Sequence, residues 1–382
     1  MSNHDTGARD DGASRTRARI LGQQDWPFWR RQALVRARGG LIHPGTLPPL
    51  DRETFGSARS LFRAAVTASA TAPWADRVDG LSLVFVDHPG ANALALEAGA
   101  RRVVVLQSGL IRRLWAVARL AVGGSRFLED TFATPPPEAA AGRFLDEATW
   151  KALYAAPGGD WPKDRAGFLY ELFMYGLDFV VHHELAHHVR GHLDLLTADD
   201  GVRGVDEGLA LSDAELPEPD RLVQLIELDA DINGLDLILH GDVARGLRGW
   251  SPDQLTEHAF RLMLAAILVF MVLDVDHRPV SATAPGRHPA PILRAMWMTQ
   301  TIVTTFAAQK LLNEAEARIE QEDAWAQAAE IAQAMGLPEG RWWGLGDLAD
   351  FEPYLAAYAE DAIAFSRRLD EANHAGGHGP GA

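Results

Sequence analysis

His183-Glu184-Leu185-Ala186-His187 is the stretch of this sequence best suited to chemistry. On a helix, positions i and i+4 lie on one face, so both imidazoles can reach one metal ion. Glu184 directly follows the first histidine, close enough to hold a water at that ion. Zinc lowers the pKa of such a water, and a carboxylate can take its proton as it attacks a peptide carbonyl. With 14 histidines in the chain, a chance match of this pattern has a probability of roughly a few per cent. The setting argues against chance. Leu169, Leu172, Phe173, Gly176, Val180, His183 and His187 form one apolar stripe at helical spacing. A neutral, metal-bound imidazole suits such a stripe better than an unpaired core imidazole does.

A catalytic zinc needs a third protein ligand and an open position. The metzincin spacing would put histidine at 193 and glycine at 190, where this chain has Leu193 and Arg190. His192 is one residue short of that spacing. The better candidate is Glu227, in Glu227-Leu228-Asp229-Ala230-Asp231. On a helix Glu227 and Asp231 share a face, so Glu227 can ligate while Asp231 accepts a hydrogen bond from a ligand imidazole and fixes its tautomer. Leu225, Ile226, Leu228, Ile232, Leu235, Leu237 and Ile238 surround these acids. The segment therefore reads as buried, and buried carboxylates need partners. Asp229 is the fallback ligand. His182, His188 and His192 read as solvated residues of the helix face, and His240 and His258 as structural or surface residues. One Zn2+ per chain is the default for two histidines and a carboxylate, although manganese or cobalt could take the same ligands.

These residues resemble the gluzincin metallopeptidases. His183 to His192 (HELAHHVRGH) followed by Glu227-Leu-Asp-Ala-Asp231-Ile-Asn-Gly234 is most similar to the HtpX, OMA and CAAX-prenyl-protease family, with its HExxH and E-x-x-A-D-x-x-G elements. Asn92-Ala93-Leu94-Ala95, the stretch Arg102 to Leu106 and Gly109-Leu110-Ile111 resemble that family's N-A-F-A strand, edge strand and helix start. His288-Pro289 with Arg294 resembles its late H-P-x-x-x-x-R element. The resemblance covers roughly 80–295. It implies that Val103, Val104 and Val105 pair with an extended protein or peptide substrate. It also makes His288 and Arg294 candidate catalytic donors to an oxyanion. For Arg294 an ion pair with a buried acid is the competing reading. The family is usually membrane-embedded, whereas the longest strongly apolar run here is the 12 residues from Leu262 to Leu273, which read as a core helix. The cytosolic phage-exclusion (Lit-type) peptidases are a second possible relative.

The elements that must position these residues follow from pattern. Helices are predicted over 51–72, 109–122, 138–155, 164–195, 221–240, 253–273, 292–320, 322–335 and 353–372. Short β-rich runs at 81–87 and 101–107 suggest a small antiparallel sheet or hairpin. The fold class expected is α+β, mainly helical: a zincin-like core with a small antiparallel or mixed β-sheet and a helical C-terminal extension. Residues 1–20 are a disordered lead-in and 21–300 the metallopeptidase domain. Residues 301–372 are the helical extension and 373–382 a flexible tail. Within the domain, 123–163 is a loop-rich insertion and a candidate lid, and 199–220 an acidic loop. Trp325, Trp342 and Trp343 read as core or interface anchors.

Composition sets the outer limits. Of 382 residues, 36 are basic and 52 acidic, a formal charge of −16. The acid excess disfavours nucleic acid as a partner. There is no cysteine, hence no thiol nucleophile, disulfide or Cys-type zinc finger. The polar N-terminus lacks an apolar signal core, and no membrane span is expected. A cytoplasmic location is expected. The chemistry expected is zinc-dependent endopeptidase hydrolysis with Glu184 activating water. The alternatives are a latent or non-catalytic zinc-binding interaction module, or a regulatory protease of one cytosolic protein.

Overall fold

A computed structural model describes residues 39–43, 46–69, 72, 74–124, 147–155, 161–196, 203–206, 218–244, 246–275, 290–339, 342 and 352–376. His288, the lead-in 1–20, the tail beyond 376, Trp343 and most of 125–160 and 197–217 lie outside them.

The chain is mainly helical around a small mixed sheet. The elements run α1 (Pro49–Ser69), α2 (Ala75–Val78), β1 (Ser82–Val86), β2 (Ala93–Ala98), β3 (Arg101–Gln107), α3 (Ser108–Gly124), α4 (Glu147–Ala155) and α5 (Lys163–Arg190). They continue as β4 (Arg203–Asp206), α6 (Glu218–Ala244), α7 (Pro252–Val275), α8 (Pro291–Ala308), α9 (Glu314–Ala334) and α10 (Glu352–Gly376). Short 3-10 turns at His192–Leu195 and Leu247–Gly249 follow α5 and α6.

The strand order is β1-β3-β2-β4. β2 and β3 form the hairpin, Leu94 opposite Val105, across a two-residue turn in which Gly99 takes φ +60°. The runs at 81–87 and 101–107 do pair, but in parallel, Val84 opposite Val105, because β2 intervenes between them in sequence. β4 falls inside the segment expected to be an acidic loop. It pairs antiparallel with β2, Ala95 opposite Val205. A charge-rich tetrapeptide of this kind has no hydrophobic period by which to be recognised.

Alternation splits the sheet's two faces. Leu83, Phe85, Val104 and Leu106 join the main core, while Val84, Val86, Val103 and Val105 form a cluster on the opposite face. The main core is one continuous apolar cluster from Leu47 to Trp342, and it includes residues on both sides of position 300. At its centre lies α7, whose apolar residues from Leu262 to Leu273 are all buried. The apolar run read as 12 residues is the heart of a 24-residue helix, long and apolar enough to cross a membrane but largely enclosed by its neighbours. Trp325 stacks on Trp342 at 6.3 Å, and the Trp342 indole donates to Asp274 Oδ2 at 2.7 Å.

Helix boundaries differ from expectation in one instructive place. The break expected at 321 falls at 309–313. There Asn313 caps α9 by accepting from the Glu316 amide at 2.9 Å, and Glu316 accepts in return from the Asn313 amide at 3.1 Å. This reciprocal cap satisfies two of the helix's unbonded amides.

Candidate metal centre

α5 carries the two histidines of the motif and α6 the acids. The helices meet closely at Gly234, where a Cβ would stand 2.9 Å from the His183 amide nitrogen. Any larger residue would force the helices apart just where their side chains have to converge. His183 Nε2 lies 3.1 Å from His187 Nε2 and 3.4 Å from Glu227 Oε2, and His187 Nε2 lies 3.9 Å from Glu227 Oε1. These three residues form the group among the described residues that could hold a metal ion. A tetrahedral zinc with bonds of about 2.0–2.1 Å sets its ligand atoms about 3.3 Å apart, close to the spacing found.

Charge points the same way. His183 and Glu184 are 1% exposed, and His187 and Glu227 0%. Asp229 and Asp231 are buried beside them, with Arg190 and Arg294 as their cationic partners. Four carboxylates against two guanidinium groups leave a formal −2 when the histidines are neutral. A buried excess of that size is costly, and one divalent cation balances it. Burial first, then the neighbouring histidines, hold His187 well below the ordinary imidazole range, so its ring is neutral and able to ligate.

Behind His183 stands Asp231, whose Oδ1 lies 2.9 Å from His183 Nδ1. Arg294 donates to both Asp231 oxygens, Nε to Oδ2 and Nη2 to Oδ1, each at 2.8 Å. Its Nη2 also lies 3.3 Å from Glu227 Oε2, and its guanidinium sits over the Phe270 ring at 4.8 Å. Expected by resemblance to face an oxyanion, Arg294 instead grips the carboxylate behind one histidine and borders the third candidate ligand. The catalytic reading of Arg294 is thereby corrected to a positioning one.

Behind His187 stands His192, Nδ1 to Nδ1 at 3.0 Å, and behind His192 stands Asp229, at 2.9 Å from its Nε2. Arg190 donates to Asp229 at 2.8 Å and 3.3 Å. Burial alone would raise the Asp229 carboxyl, but its bonds to His192 and Arg190 outweigh that and hold it at about 2. Asp229, the fallback ligand, is thus committed to this second pair.

The three flanking histidines are not on a solvated face. His182, His188 and His192 are all buried. His182 Nδ1 lies 2.9 Å from the Asp178 carbonyl, and His188 Nε2 lies 3.3 Å from the Val103 carbonyl. The sheet and α6 close over sides of α5 that sequence spacing assigns to solvent. His192 returns to the site because Gly191, at φ +75°, ends α5 in the left-handed conformation and turns the chain back. A glycine immediately after a helix's last residue is the sequence signal that could have indicated this turn.

Val103, Val104 and Val105 do not offer an edge. β3 is bonded to β1 on one side and β2 on the other, and the three residues are buried. Their backbone groups are already used within the sheet, so the expected pairing with substrate along β3 is corrected. Among the described residues, the edge strands are β1 and β4, and Leu41 already bridges β1 at Val86.

Compared with protein families, with curated proteins and with solved structures, the chain matches none.

Proposed function

We propose that this chain is a zinc-dependent endopeptidase of gluzincin type, related to the HtpX, OMA and CAAX-prenyl-protease family or to the phage-exclusion peptidases. One observation carries the reading. His183, His187 and Glu227 bring three ligand atoms within 4.8 Å of one another, inside a buried group of net negative charge. Glu184 follows the first of them on the same helix.

A bound zinc ion supplies Lewis acidity, making water a nucleophile at neutral pH and polarising the scissile carbonyl. The chain's own residues do the rest. His183, His187 and Glu227 hold the ion. The Glu184 carboxylate takes a proton from the attacking water and returns it to the leaving amine. Asp231 keeps the His183 ring in place, and Arg294 keeps Asp231 in place. Exclusion of bulk water strengthens each of these electrostatic contacts.

A latent zinc module is the second reading, favoured by the burial of the centre. Glu184 is 1% exposed, so a peptide reaches it only if neighbouring segments move.

Metal content and cleavage of an unstructured protein substrate, measured together, test both readings. Wild type should hold one zinc and cleave. Glu184→Gln should keep the metal and lose cleavage, and His187→Ala should lose both. Absence of stoichiometric metal from wild type overturns the ligand assignment. Metal without cleavage overturns the peptidase in favour of the latent module.

A further inference from the structure

We propose, resting on the metal-centre reading above, that His192 is a positioning residue which, with Asp229 behind it, dictates the nitrogen of His187 that carries the proton. No motif places His192 in the site. The assignment follows from the order in which donors and acceptors must alternate.

Asp229 starts the chain. Its carboxylate only accepts hydrogen bonds, and Arg190 donates two to it. His192 Nε2, 2.9 Å from Asp229 Oδ2, therefore carries a hydrogen. His192 is 0% exposed, and a buried imidazole without its own charge partner is neutral, with a single N–H. The carboxylate it touches, Asp229, is already balanced by Arg190, and Arg190 itself disfavours a charge on the ring. His192 Nδ1 is consequently an acceptor. The atom 3.0 Å from it, His187 Nδ1, must be the donor. That leaves His187 Nε2 as a lone pair, aimed toward His183 Nε2 and Glu227 Oε1. The opposite arrangement would set a His192 lone pair against a carboxylate. It would also place an N–H of His187 among the ligand atoms, blocking the ion.

His183 receives the same instruction in one step, from Asp231. His187 receives it in two, and the longer chain has its own support. Gly191 at φ +75° brings His192 back, and a Cβ there would stand 1.9 Å from Arg77 Nη1. Arg190 also donates to the Ser366 carbonyl at 3.1 Å and to Ser366 Oγ at 2.9 Å, so the chain ends on α10.

A filler histidine and a positioning histidine respond differently to substitution. Glutamine can accept from His187 with its oxygen and donate to Asp229 with its amide, and leucine can do neither. Full-length wild type, His192→Gln and His192→Leu would be compared for zinc affinity by chelator competition. The imidazole tautomers of metal-free wild type would be read from long-range nitrogen–proton NMR spectra. Zinc affinity should fall about 10- to 100-fold in His192→Leu and stay within about threefold of wild type in His192→Gln. His187 should carry its proton on Nδ1 and His192 on Nε2. A folded His192→Leu that binds zinc as wild type does overturns the proposal, as does the reverse tautomer at His187. Should His192→Leu fail to fold, the His192→Gln affinity and the tautomers decide. Should wild type bind no zinc, the metal reading falls by itself, and the tautomers still decide the role of His192.

Discussion

Asp229 and Asp231 stand two residues apart on α6, yet each backs a different histidine of the centre and each is gripped by its own arginine. Asp231 lies against His183 and takes two bonds from Arg294, while Asp229 lies against His192 and takes two from Arg190. With Glu227, the three acids of Glu-Leu-Asp-Ala-Asp all point inward, so this stretch of helix is buried on more than one face. The arginines make that burial tolerable, since a carboxylate without solvent needs a cation or several donors.

Removing one of these cations should therefore be severe. Arg294→Leu leaves Asp231 charged and buried, and should destabilise the protein by about 3–5 kcal/mol. Asp231→Asn combined with Arg294→Leu should cost less than the sum of the single changes, since neighbours in one network do not add. Urea unfolding of the four proteins, all metal-free, checks this. Full additivity would mean that the two side chains do not act as a pair.

Gly234 offers a test of the helix contact itself. A methyl group added there meets the backbone of His183 at 2.9 Å, and backbone cannot swing aside as a flexible side chain can. Gly234→Ala should cost about 1–3 kcal/mol through overpacking, despite alanine's better helix propensity. The separation of α5 from α6 should also weaken zinc binding, because His183 and Glu227 sit on opposite sides of that contact. Gly167 also lies in α5, with nothing within 4 Å of its position, so Gly167→Ala is the control and should be neutral or stabilising. Equal behaviour of the two variants would remove the close approach as a determinant of the site.

Arg190 joins α5 to the C-terminal helix as well as to Asp229. Its bonds to Ser366, together with an ion pair to Asp370, tie α10 to the end of α5, while Ala362, Phe365 and Leu369 pack α10 on Leu225, Ile226 and Leu228 of α6 in a small apolar cluster. Arg190→Met should loosen α10 and leave Asp229 charged without its cation. Protease cleavage within 352–376 should then accelerate, and unfolding stability should fall by about 3 kcal/mol or more. Unchanged cleavage in that variant would show that the apolar contacts of Phe365 and its neighbours hold α10 without help.

Periodicity made the helices legible, because a stripe such as Leu169 to His187 repeats at 3.6 residues and buries one face. It also brought Glu227 and Asp231 forward as a pair, since i and i+4 share that face. The same rule misplaced His188 and His192. It assumes that the side of a helix opposite the core meets water, whereas α5 is enclosed by the sheet, α6 and other helices. The sheet was legible only as apolar runs. Which run pairs with which depends on β2, whose small alanines and single glutamate give a weak strand signal, and on the four-residue β4. The error at Val103 to Val105 follows directly, because an edge cannot be told from an interior strand before its neighbours are known.

The buried histidines also fix how stability should respond to acid. Burial holds His188 at about 3, its Nε2 donating to the Val103 carbonyl, and burial likewise lowers His187 and His192. In the unfolded chain each titrates near about 6.5. Between that value and the folded one, the unfolded chain binds more protons, so stability rises with pH across the window and is lost as pH falls through it. His188, whose window runs from about 6.5 down to about 3, contributes a slope of about 1.4 kcal/mol per pH unit across most of it and none well above it, and His187 and His192 act in the same direction. Asp229, held at about 2, adds a further loss only below the ordinary carboxylate range, whereas Glu320, pushed up to about 7 by burial and by Asp323, opposes the histidines between about pH 6 and pH 4.5. The His188 share is therefore read as the difference between wild type and a His188 variant over that interval. Urea unfolding of metal-free wild type and of the variant would be followed across that interval. His188→Gln keeps a donor for the Val103 carbonyl but cannot take up a proton, and it should flatten the slope by about 1.4 kcal/mol per pH unit. A slope unaltered in that variant would mean that His188 is protonated in the folded protein over the same range, and that its burial does not resist acid.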